Sequence, residues 1–330
     1  MDALPPYYHP TTIAVLDDSY SFHEHLNDLL PDDVNHLSLL SPEEAIDVLN
    51  TPHRLPSLAE RCLSVEENSL GGTRLRKDLH LLAREITEPD RFARVSVLLV
   101  DLTMPTMSGI EFCARLEDPH IMRGLMTEEG GEVAAVAAFN RDLIHRYIPK
   151  SRLQTPEDVA EHIRVLQRAY FDQFRAALLD DLASPPEFMR VPAVQRTFSN
   201  AVAQLDIIEY YLVGGPMGYL MLRTDGSMSR FIAMSAHELQ VQVDYVRARN
   251  APADVVARLS SGDAVGFFYE DPDDYLGHEP YPWEDMVVPA TRVSNGEWFV
   301  ATSENPPADI DFDPSVQSYA SFLQRVRKTP

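Results

Sequence analysis

The chain has 330 residues, of which 45% are hydrophobic, so it is long enough for two domains with separate cores. Acidic residues number 51 and basic residues 28, which gives a formal net charge of −23. Because neutralisation of DNA phosphates requires a basic face, this balance argues against a domain that binds duplex DNA.

The amino-acid sequence gives no indication of a membrane or export segment. No apolar run is long enough to cross a bilayer, and the start of the chain, MDALPPYYHP, lacks the basic residues and apolar core of a signal peptide. The two cysteines, Cys62 and Cys113, lie far apart, which is typical of reduced thiols. We therefore expect a cytoplasmic protein.

The first predicted strand, Thr12–Leu16, ends in two acids, Asp17 and Asp18. A helix-like segment with Phe22, Leu26 and Leu29 comes next. His23 and His25 lie in that segment, but residues two apart diverge on a helix, so we expect both to be surface groups.

An unusual insertion separates the helix-like segment 42–50 from the next strand. It covers about residues 52–94, and roughly forty residues are more than a connection of this kind needs. Its apolar positions recur with a heptad-like spacing, which predicts an extra helix. These positions are Leu75, Leu79, Leu82 and Ile86.

A buried central strand is predicted at 95–100, where an almost wholly apolar run ends at Asp101. The carboxyl ends of parallel strands are where open α/β sheets place their chemistry. If this strand lies beside Thr12–Leu16, the carboxylates of Asp17, Asp18 and Asp101 converge. Such a cluster favours Mg²⁺, which takes few protein carboxylates and keeps oxygen ligands in its remaining positions.

Two further strands end in polar groups. The segment 124–127 ends at the hydroxyl of Thr127, and the segment 144–150 ends at Lys150. The intervals between Asp101, Thr127 and Lys150 each leave room for one helix and one strand. An acid pair, an acid, a hydroxyl and a lysine therefore occur in a fixed order.

Over residues 11–152 this order resembles the receiver domain of bacterial two-component response regulators. The motif consists of the acid pair, DLTMPTMSG from Asp101, the switch hydroxyl, an aromatic residue three before the lysine, and the lysine itself. The matching residues are Asp17, Asp18, Asp101, Thr127, Tyr147 and Lys150. The resemblance implies an α/β fold, a doubly wound, flavodoxin-like sheet of five parallel strands.

The resemblance also implies a mechanism. Asp101 would accept a phosphoryl group from a sensor histidine kinase or a phosphotransfer protein. Mg²⁺ held by Asp17, Asp18, Asp101 and the main-chain oxygen of Thr103 would offset the repulsion between the acids and the phosphoryl group. Lys150 and Thr127 would contact phosphoryl oxygens. Movement of Thr127 and Tyr147 would then switch the surface of the domain.

Three features depart from the pattern of that family. The first is the insertion at about 52–94. The second is Glu128, which follows Thr127 where the family often has a small residue, and which we expect to hinder access to the phosphoryl group. The third is Ser151, because Lys150 is not followed by the proline that helps to place the lysine of the family. These departures concern the dynamics of the switch.

A long linker helix is predicted at 153–186. Thr155 is its N-cap, Pro156 its first residue, and Ala183 to Pro186 end it. One interpretation is that its apolar stripe packs on the second domain. The other is that it pairs with the same helix of another subunit to form a homodimer. The stripe comprises Val159, Ile163, Leu166, Tyr170, Phe174 and Leu178.

The order of predicted helices and strands in residues 187–330 is typical of an α+β domain with a mainly antiparallel sheet and helices on one side. Asp225–Gly226 and Asn295–Gly296 are hairpin turns. The predicted helices are 191–204, 236–247, 251–259 and 315–326, and the predicted strands are 207–213, 218–223, 229–234, 265–269, 286–293 and 297–302.

Two features of this segment suggest ligands, but simpler interpretations are favoured. The acidic stretch 269–275 lacks the ligand spacing and the glycine of an EF-hand, so we expect a solvated loop. His278, Trp283 and Trp298 are expected to be core residues.

Two classes of function therefore remain. The first is a regulatory protein whose acidic C-terminal domain binds another protein or a small ligand, and the second is an enzyme controlled by the receiver.

Overall fold

The computed structural model describes residues 3–51, 63–67, 73–77, 82, 84–128, 130–179, 186–267, 283–304 and 311–328. Within these residues the strands, in chain order, are β1 Tyr7–Tyr8, β2 Thr12–Leu16, β3 His36–Leu39, β4 Leu63–Glu67, β5 Thr73–Lys77, β6 Val95–Asp101, β7 Met122–Thr127, β8 Arg146–Pro149, β9 Glu209–Val213, β10 Gly218–Leu222, β11 Met228–Ser235, β12 Ala264–Gly266, β13 Val287–Pro289, β14 Thr291–Val293 and β15 Trp298–Glu304.

The α-helices in the same residues are α1 Tyr20–Leu29, α2 Pro42–Asn50, α3 Gly109–Cys113, α4 Glu132–Phe139, α5 Pro156–Leu179, α6 Pro192–Gln204, α7 Ala236–Ala248, α8 Ala253–Ser261, α9 Pro314–Gln317 and α10 Tyr319–Lys328. Short 3-10 helices occur at Glu85–Thr87, Arg91–Ala93, Lys150–Arg152, Glu187–Arg190 and Ser294–Gly296.

The chain divides into two compact units, each assembled from three separate segments. The parallel-sheet unit comprises Pro10–Ser57, Asp90–Ala176 and Phe322–Pro330. The antiparallel-sheet unit comprises Met1–His9, Leu58–Pro89 and Ala177–Ser321. This division differs from the expected boundaries in two ways, because the first residues belong with the C-terminal unit and the long helix belongs with the N-terminal one.

The parallel-sheet unit contains a five-stranded sheet of order β3-β2-β6-β7-β8 in which every pair is parallel. This is the predicted doubly wound α/β fold. The central strand β6 is buried on both faces from Ser96 to Asp101, as its apolar run predicted. One face carries a core cluster with Leu98, Val100, Phe112 and Leu125, all without exposed surface.

The insertion contains a hairpin that includes Leu75, the first position of the predicted helical stripe, whereas residues 82 and 84 are helical and Glu85–Thr87 form a 3-10 helix. Strands β4 and β5 pair in antiparallel register, with Val65 opposite Leu75. The physical reason for the hairpin is the alternation of apolar and polar residues in both segments. The heptad-like stripe shared Leu75 with this alternation, and Leu79 lies outside the described residues.

Helix α5 packs on the parallel-sheet unit, which corrects both interpretations of its apolar stripe. Side chains on its buried face are almost wholly enclosed. They are Val159, Ile163, Leu166, Tyr170, Phe171 and Phe174. Gly124 of β7 permits the close approach, because a Cβ there would lie 3.2 Å from Leu166. Gln167 also donates to the hydroxyl of Thr11 at 3.0 Å. An apolar stripe indicates that one face of a helix is buried, but it does not indicate which part of the protein covers that face.

The antiparallel-sheet unit contains a six-stranded sheet of order β1-β9-β10-β11-β15-β14, and each pair is antiparallel. The expected α+β architecture is confirmed. One core cluster packs α7 and α8 through Leu239, Val243 and Leu259. Phe198 of α6 lies against Tyr219 of β10, with ring centroids 4.4 Å apart.

An edge strand from the start of the chain completes this sheet. Tyr7 and Tyr8 pair with Tyr211 and Tyr210 of β9, and the Tyr219 hydroxyl donates to the carbonyl of Pro5 at 3.1 Å. Residues 3–9 therefore belong structurally to a domain whose other strands begin two hundred residues later in the sequence.

The last helix differs from its expected form. The predicted helix 315–326 is two helices, α9 and α10, which are separated at Ser318. Ser318 caps the second of them by accepting from the amide of Ser321 at 3.2 Å. Within the parallel-sheet unit, Phe322 of α10 lies 5.5 Å from Phe92 between ring centroids.

No helix within the described residues is both long and apolar enough to cross a membrane.

Candidate functional site at the carboxyl edge of the parallel sheet

Four strands bring the predicted site residues to one edge of the parallel sheet. Asp17 follows β2, Asp101 ends β6, Thr127 ends β7 and Lys150 follows β8. Because all strands in this sheet run the same way, their carboxyl ends meet at one edge. Sequence order alone indicated this set, and the parallel register makes it a spatial set.

Lys150 joins the two buried acids. Its Nζ lies 2.7 Å from Oδ2 of Asp17 and 2.8 Å from Oδ1 of Asp101. The side chains of Lys150, Asp17 and Asp101 are 10%, 1% and 8% exposed, respectively. A desolvated ion pair of this kind is much less screened by salt than one at the surface.

The environment shifts the pKa of both Asp101 and Lys150. Burial raises the pKa of the Asp101 carboxyl above its usual range, and this effect outweighs the opposing effect of Lys150. Burial alone would lower the pKa of Lys150, but its bonds to Asp101 and Asp17 raise that pKa overall. Lys150 therefore stays charged, while Asp101 is an acid whose ionisation is costly.

The loop after β6 positions Asp101 through its backbone. The amide of Thr103 donates to Oδ2 of Asp101 at 2.8 Å, and the amide of Gly109 donates to the carbonyl of Leu102 at 3.0 Å. A Cβ at Gly109 would collide with the main-chain oxygen of Asp101. Gly109, the glycine that ends DLTMPTMSG, is thus required because the backbone of Asp101 approaches it closely.

The two expected switch residues are hydrogen-bonded to each other. The Thr127 hydroxyl donates to the Tyr147 hydroxyl at 3.1 Å. The Tyr147 hydroxyl in turn lies 3.4 Å from the carbonyl of Gly130, to which it donates. The pair connects Thr127 at the end of β7 with Tyr147 inside β8, so displacement of one side chain removes a hydrogen-bond partner from the other.

The first turn of α1 contributes three residues that sequence reasoning did not assign to the site. Ser19 caps the helix, and its amide donates to Oδ1 of Asp17 at 2.9 Å. The ring of Phe22 lies 4.5 Å from Nζ of Lys150, measured to the ring centroid. His23 donates from Nε2 to the main-chain oxygen of Asp17 at 2.9 Å.

The position of His23 corrects the expectation that it is a surface group. His23 is only 4% exposed, whereas His25 is exposed as expected. The apolar spacing of α1 could have indicated this, because His23 lies three residues before the buried Leu26 and shares its face.

The structure locates Glu128 and the end of the strand that precedes Lys150. Glu128 is 84% exposed, and its carboxylate lies 3.8 Å from Nζ of Lys150. Pro149 ends β8 opposite Thr127, so the proline that precedes Lys150 lies within the strand pairing.

The acids fit a magnesium site in part. Asp17 and Asp101 supply oxygen ligands, which Mg²⁺ prefers, within reach of one ammonium group. Asp18 is exposed. Among the described residues no group of three or more acidic, histidine or cysteine side chains is arranged to hold a metal ion. The expected convergence of three carboxylates is therefore a convergence of two.

The acidic stretch 269–275, His278 and Cys62 are outside the described residues. Trp298 is 8% exposed, in line with a core role. Burial raises the pKa of the Cys113 thiol to about 12, so that thiol stays protonated.

Comparison with solved structures relates the whole chain to a response regulator. No family model and no curated protein matches the chain. Among solved structures, the response regulator LqsR of Legionella pneumophila matches with a TM-score of 0.78 and 28% identity, over 98% of this chain and 96% of that one. A CheY-like receiver domain protein from Methanospirillum hungatei JF-1 matches with a TM-score of 0.34 and 13% identity, over 50% of this chain and 98% of its own.

The chain is similar to a response regulator over almost its whole length, and its parallel-sheet unit has the fold of a receiver domain. The similarity to the Legionella protein extends through both units.

Proposed function

We propose that the protein is a phosphorylation-dependent response regulator in which Asp101 accepts a phosphoryl group. The observation that carries this proposal is the buried arrangement of Asp101, Asp17 and Lys150 at one sheet edge. An Oδ atom of Asp101 would attack phosphorus as the bond to the leaving group breaks, which yields an acyl phosphate. A sensor histidine kinase or a phosphotransfer protein in the cytoplasm would supply the phosphoryl group.

Asp17, Asp18, Asp101 and the main-chain oxygen of Thr103 would hold Mg²⁺, which when bound neutralises charge on the phosphoryl oxygens. Two ligand carboxylates already lie together, whereas Asp18 would have to join them. Lys150, which pairs with Asp101 at 2.8 Å, would contact a phosphoryl oxygen as a point charge. These two sources of positive charge would offset the repulsion between the buried acids and the incoming anion.

Thr127 and Tyr147 would carry the switch. A phosphoryl group on Asp101 offers new acceptor oxygens to the Thr127 hydroxyl, which otherwise donates to Tyr147. Loss of that bond would free Tyr147 to turn, and the surface formed by α4 and β8 would change. The antiparallel-sheet unit would then bind another protein or a small ligand differently. Control of an enzyme activity in that unit is the alternative.

The direct test is incubation of the full chain with Mg²⁺ and a small phosphodonor such as acetyl phosphate or phosphoramidate. We expect a single adduct that is stable in acid and labile in base, lost in Asp101→Asn and retained in Asp28→Asn. Asp28 is an exposed acid on α1, so its substitution repeats the chemical change away from the site. An adduct of undiminished yield in Asp101→Asn would overturn the proposal.

The metal is tested separately by calorimetric titration with Mg²⁺ alone. We expect binding that weakens at least tenfold in Asp17→Asn and in Asp18→Asn, because each removes a carboxylate ligand. Equal affinity in Asp18→Asn and the unmodified protein would exclude Asp18 from the ligand set.

A further inference from the structure

The first turn of α1 contacts both buried charges of the site, and its aromatic residue has no role in the mechanism above. We propose that Phe22 is a positioning residue for Lys150, which it holds over its ring face between Asp17 and Asp101. This inference rests on the proposed function, because Lys150 would contact the phosphoryl group.

The geometry is that of a cation–π interaction. Nζ of Lys150 lies 4.5 Å from the ring centroid of Phe22, within the distance over which the ring quadrupole attracts a cation. The Lys150 side chain is 10% exposed, so water screens this attraction little. The ammonium group thus meets two carboxylates and an aromatic face.

The ring is tied to the backbone that carries Asp17. The Phe22 amide donates to the Ser19 hydroxyl at 3.3 Å, and the Ser19 amide donates to Asp17 at 2.9 Å. On the next residue, His23 donates to the main-chain oxygen of Asp17 at 2.9 Å. The acid and the ring are therefore held by the same turn, so each has a fixed position relative to the other.

The alternative, that Phe22 only adds apolar contact area to the unit, accounts for its position less well. Phe22 is half-buried and is absent from the buried core of the unit. A ring face attracts the ammonium group without accepting one of its N–H hydrogen bonds, so it leaves those donors available to oxygen atoms. Lys150 could transfer a hydrogen bond from Asp101 to a phosphoryl oxygen and remain stabilised throughout.

The experiment compares three variants of the full chain. Phe22→Leu keeps apolar volume and removes the ring, whereas Phe22→Tyr restores a ring. Tyr20→Leu changes a 67% exposed aromatic residue in the same turn and serves as the control. With a small phosphodonor and saturating Mg²⁺, we expect the maximal rate of adduct formation to fall threefold to tenfold in Phe22→Leu only. Mg²⁺ affinity should be unchanged, because Asp17 keeps its contacts with Ser19 and His23.

A double-mutant cycle on stability gives a readout that needs no phosphorylation. We expect Phe22→Leu to lower the folding equilibrium constant threefold to tenfold more when Lys150 is present than in a Lys150→Met background. Equal effects in both backgrounds, or equal rates in Phe22→Leu and Phe22→Tyr, would overturn the inference. Absence of any adduct in the unmodified protein would instead overturn the proposed function, while the cycle would still report the contact.

Discussion

The two units of this protein differ in where the carboxyl ends of their strands lie. In the parallel-sheet unit, strands β2, β6, β7 and β8 bring Asp17, Asp101, Thr127 and Lys150 to one edge. In the antiparallel-sheet unit, neighbouring strands end at opposite edges, and its described residues form aromatic and aliphatic cores. Parallel order thus converts sequence positions into a chemical site, which antiparallel order does not do by itself.

The largest expected effect concerns the aromatic core of the antiparallel-sheet unit. Tyr219 is fully buried, and Tyr219→Ala should cost about 3–5 kcal/mol of unfolding free energy because a large cavity remains. Tyr219→Phe removes only the bond to Pro5 and should cost about 1 kcal/mol. Hydrogen exchange should show faster exchange at β10 and β11 amides in Tyr219→Ala. Equal acceleration in β6 and β7 would show that the two units unfold as one.

Removal of residues 3–9 tests the edge strand that the start of the chain supplies. The deletion abolishes the pairing of Tyr7 and Tyr8 with β9 and the bond from Leu212 to Pro6. We expect a loss of about 2–4 kcal/mol, the sum of a few hydrogen bonds and buried aromatic contacts. Amides of β9 should exchange faster while Asp101 still forms an adduct. Unchanged exchange in β9 would contradict the assignment of β1 to this sheet.

Gly109→Ala tests the close backbone approach in the parallel-sheet unit. The added Cβ meets the main-chain oxygen of Asp101, so we expect a loss of about 1–3 kcal/mol and a slower rate of adduct formation. Gly214→Ala is the matched control, because a Cβ there has no neighbour within 4 Å among the described residues. Urea unfolding of both variants gives the comparison, and equal midpoints would refute the steric argument.

The smallest expected effect is the stability of Asp101→Asn as a function of pH. Burial raises the pKa of the Asp101 carboxyl in the folded state, so the ionised carboxylate is disfavoured there. The stability that the protonated carboxyl contributes is therefore lost as pH rises through the raised pKa. At neutral pH the variant should therefore be at least as stable as the unmodified protein. The difference should shrink as pH falls through the raised pKa. Thermal unfolding in which the stability difference between Asp101→Asn and the unmodified protein grows as pH falls would contradict this prediction.

Much of the candidate site was predictable because its residues follow local patterns. Asp101 ends an apolar run, and Thr127 and Lys150 end the next two strands, so each position is readable from its own segment. Phe22 and His23 were not readable in this way. Their roles depend on Lys150 and on the carbonyl of Asp17, and no spacing rule encodes which ring faces a lysine more than a hundred residues away.

The sequence by itself determined the fold class of both units and the order of the polar residues at the strand ends, because alternation, apolar runs and turn residues act over a few positions. Only the tertiary structure decided that β1 joins the distant strand β9, that α5 packs on the parallel sheet, and that Asp17 and Asp101 converge on Lys150 without Asp18. The physical reason is that the local hydrophobic pattern indicates which residues become buried. Which segments they pack against depends on complementary shape and hydrogen bonds between segments that are remote in sequence.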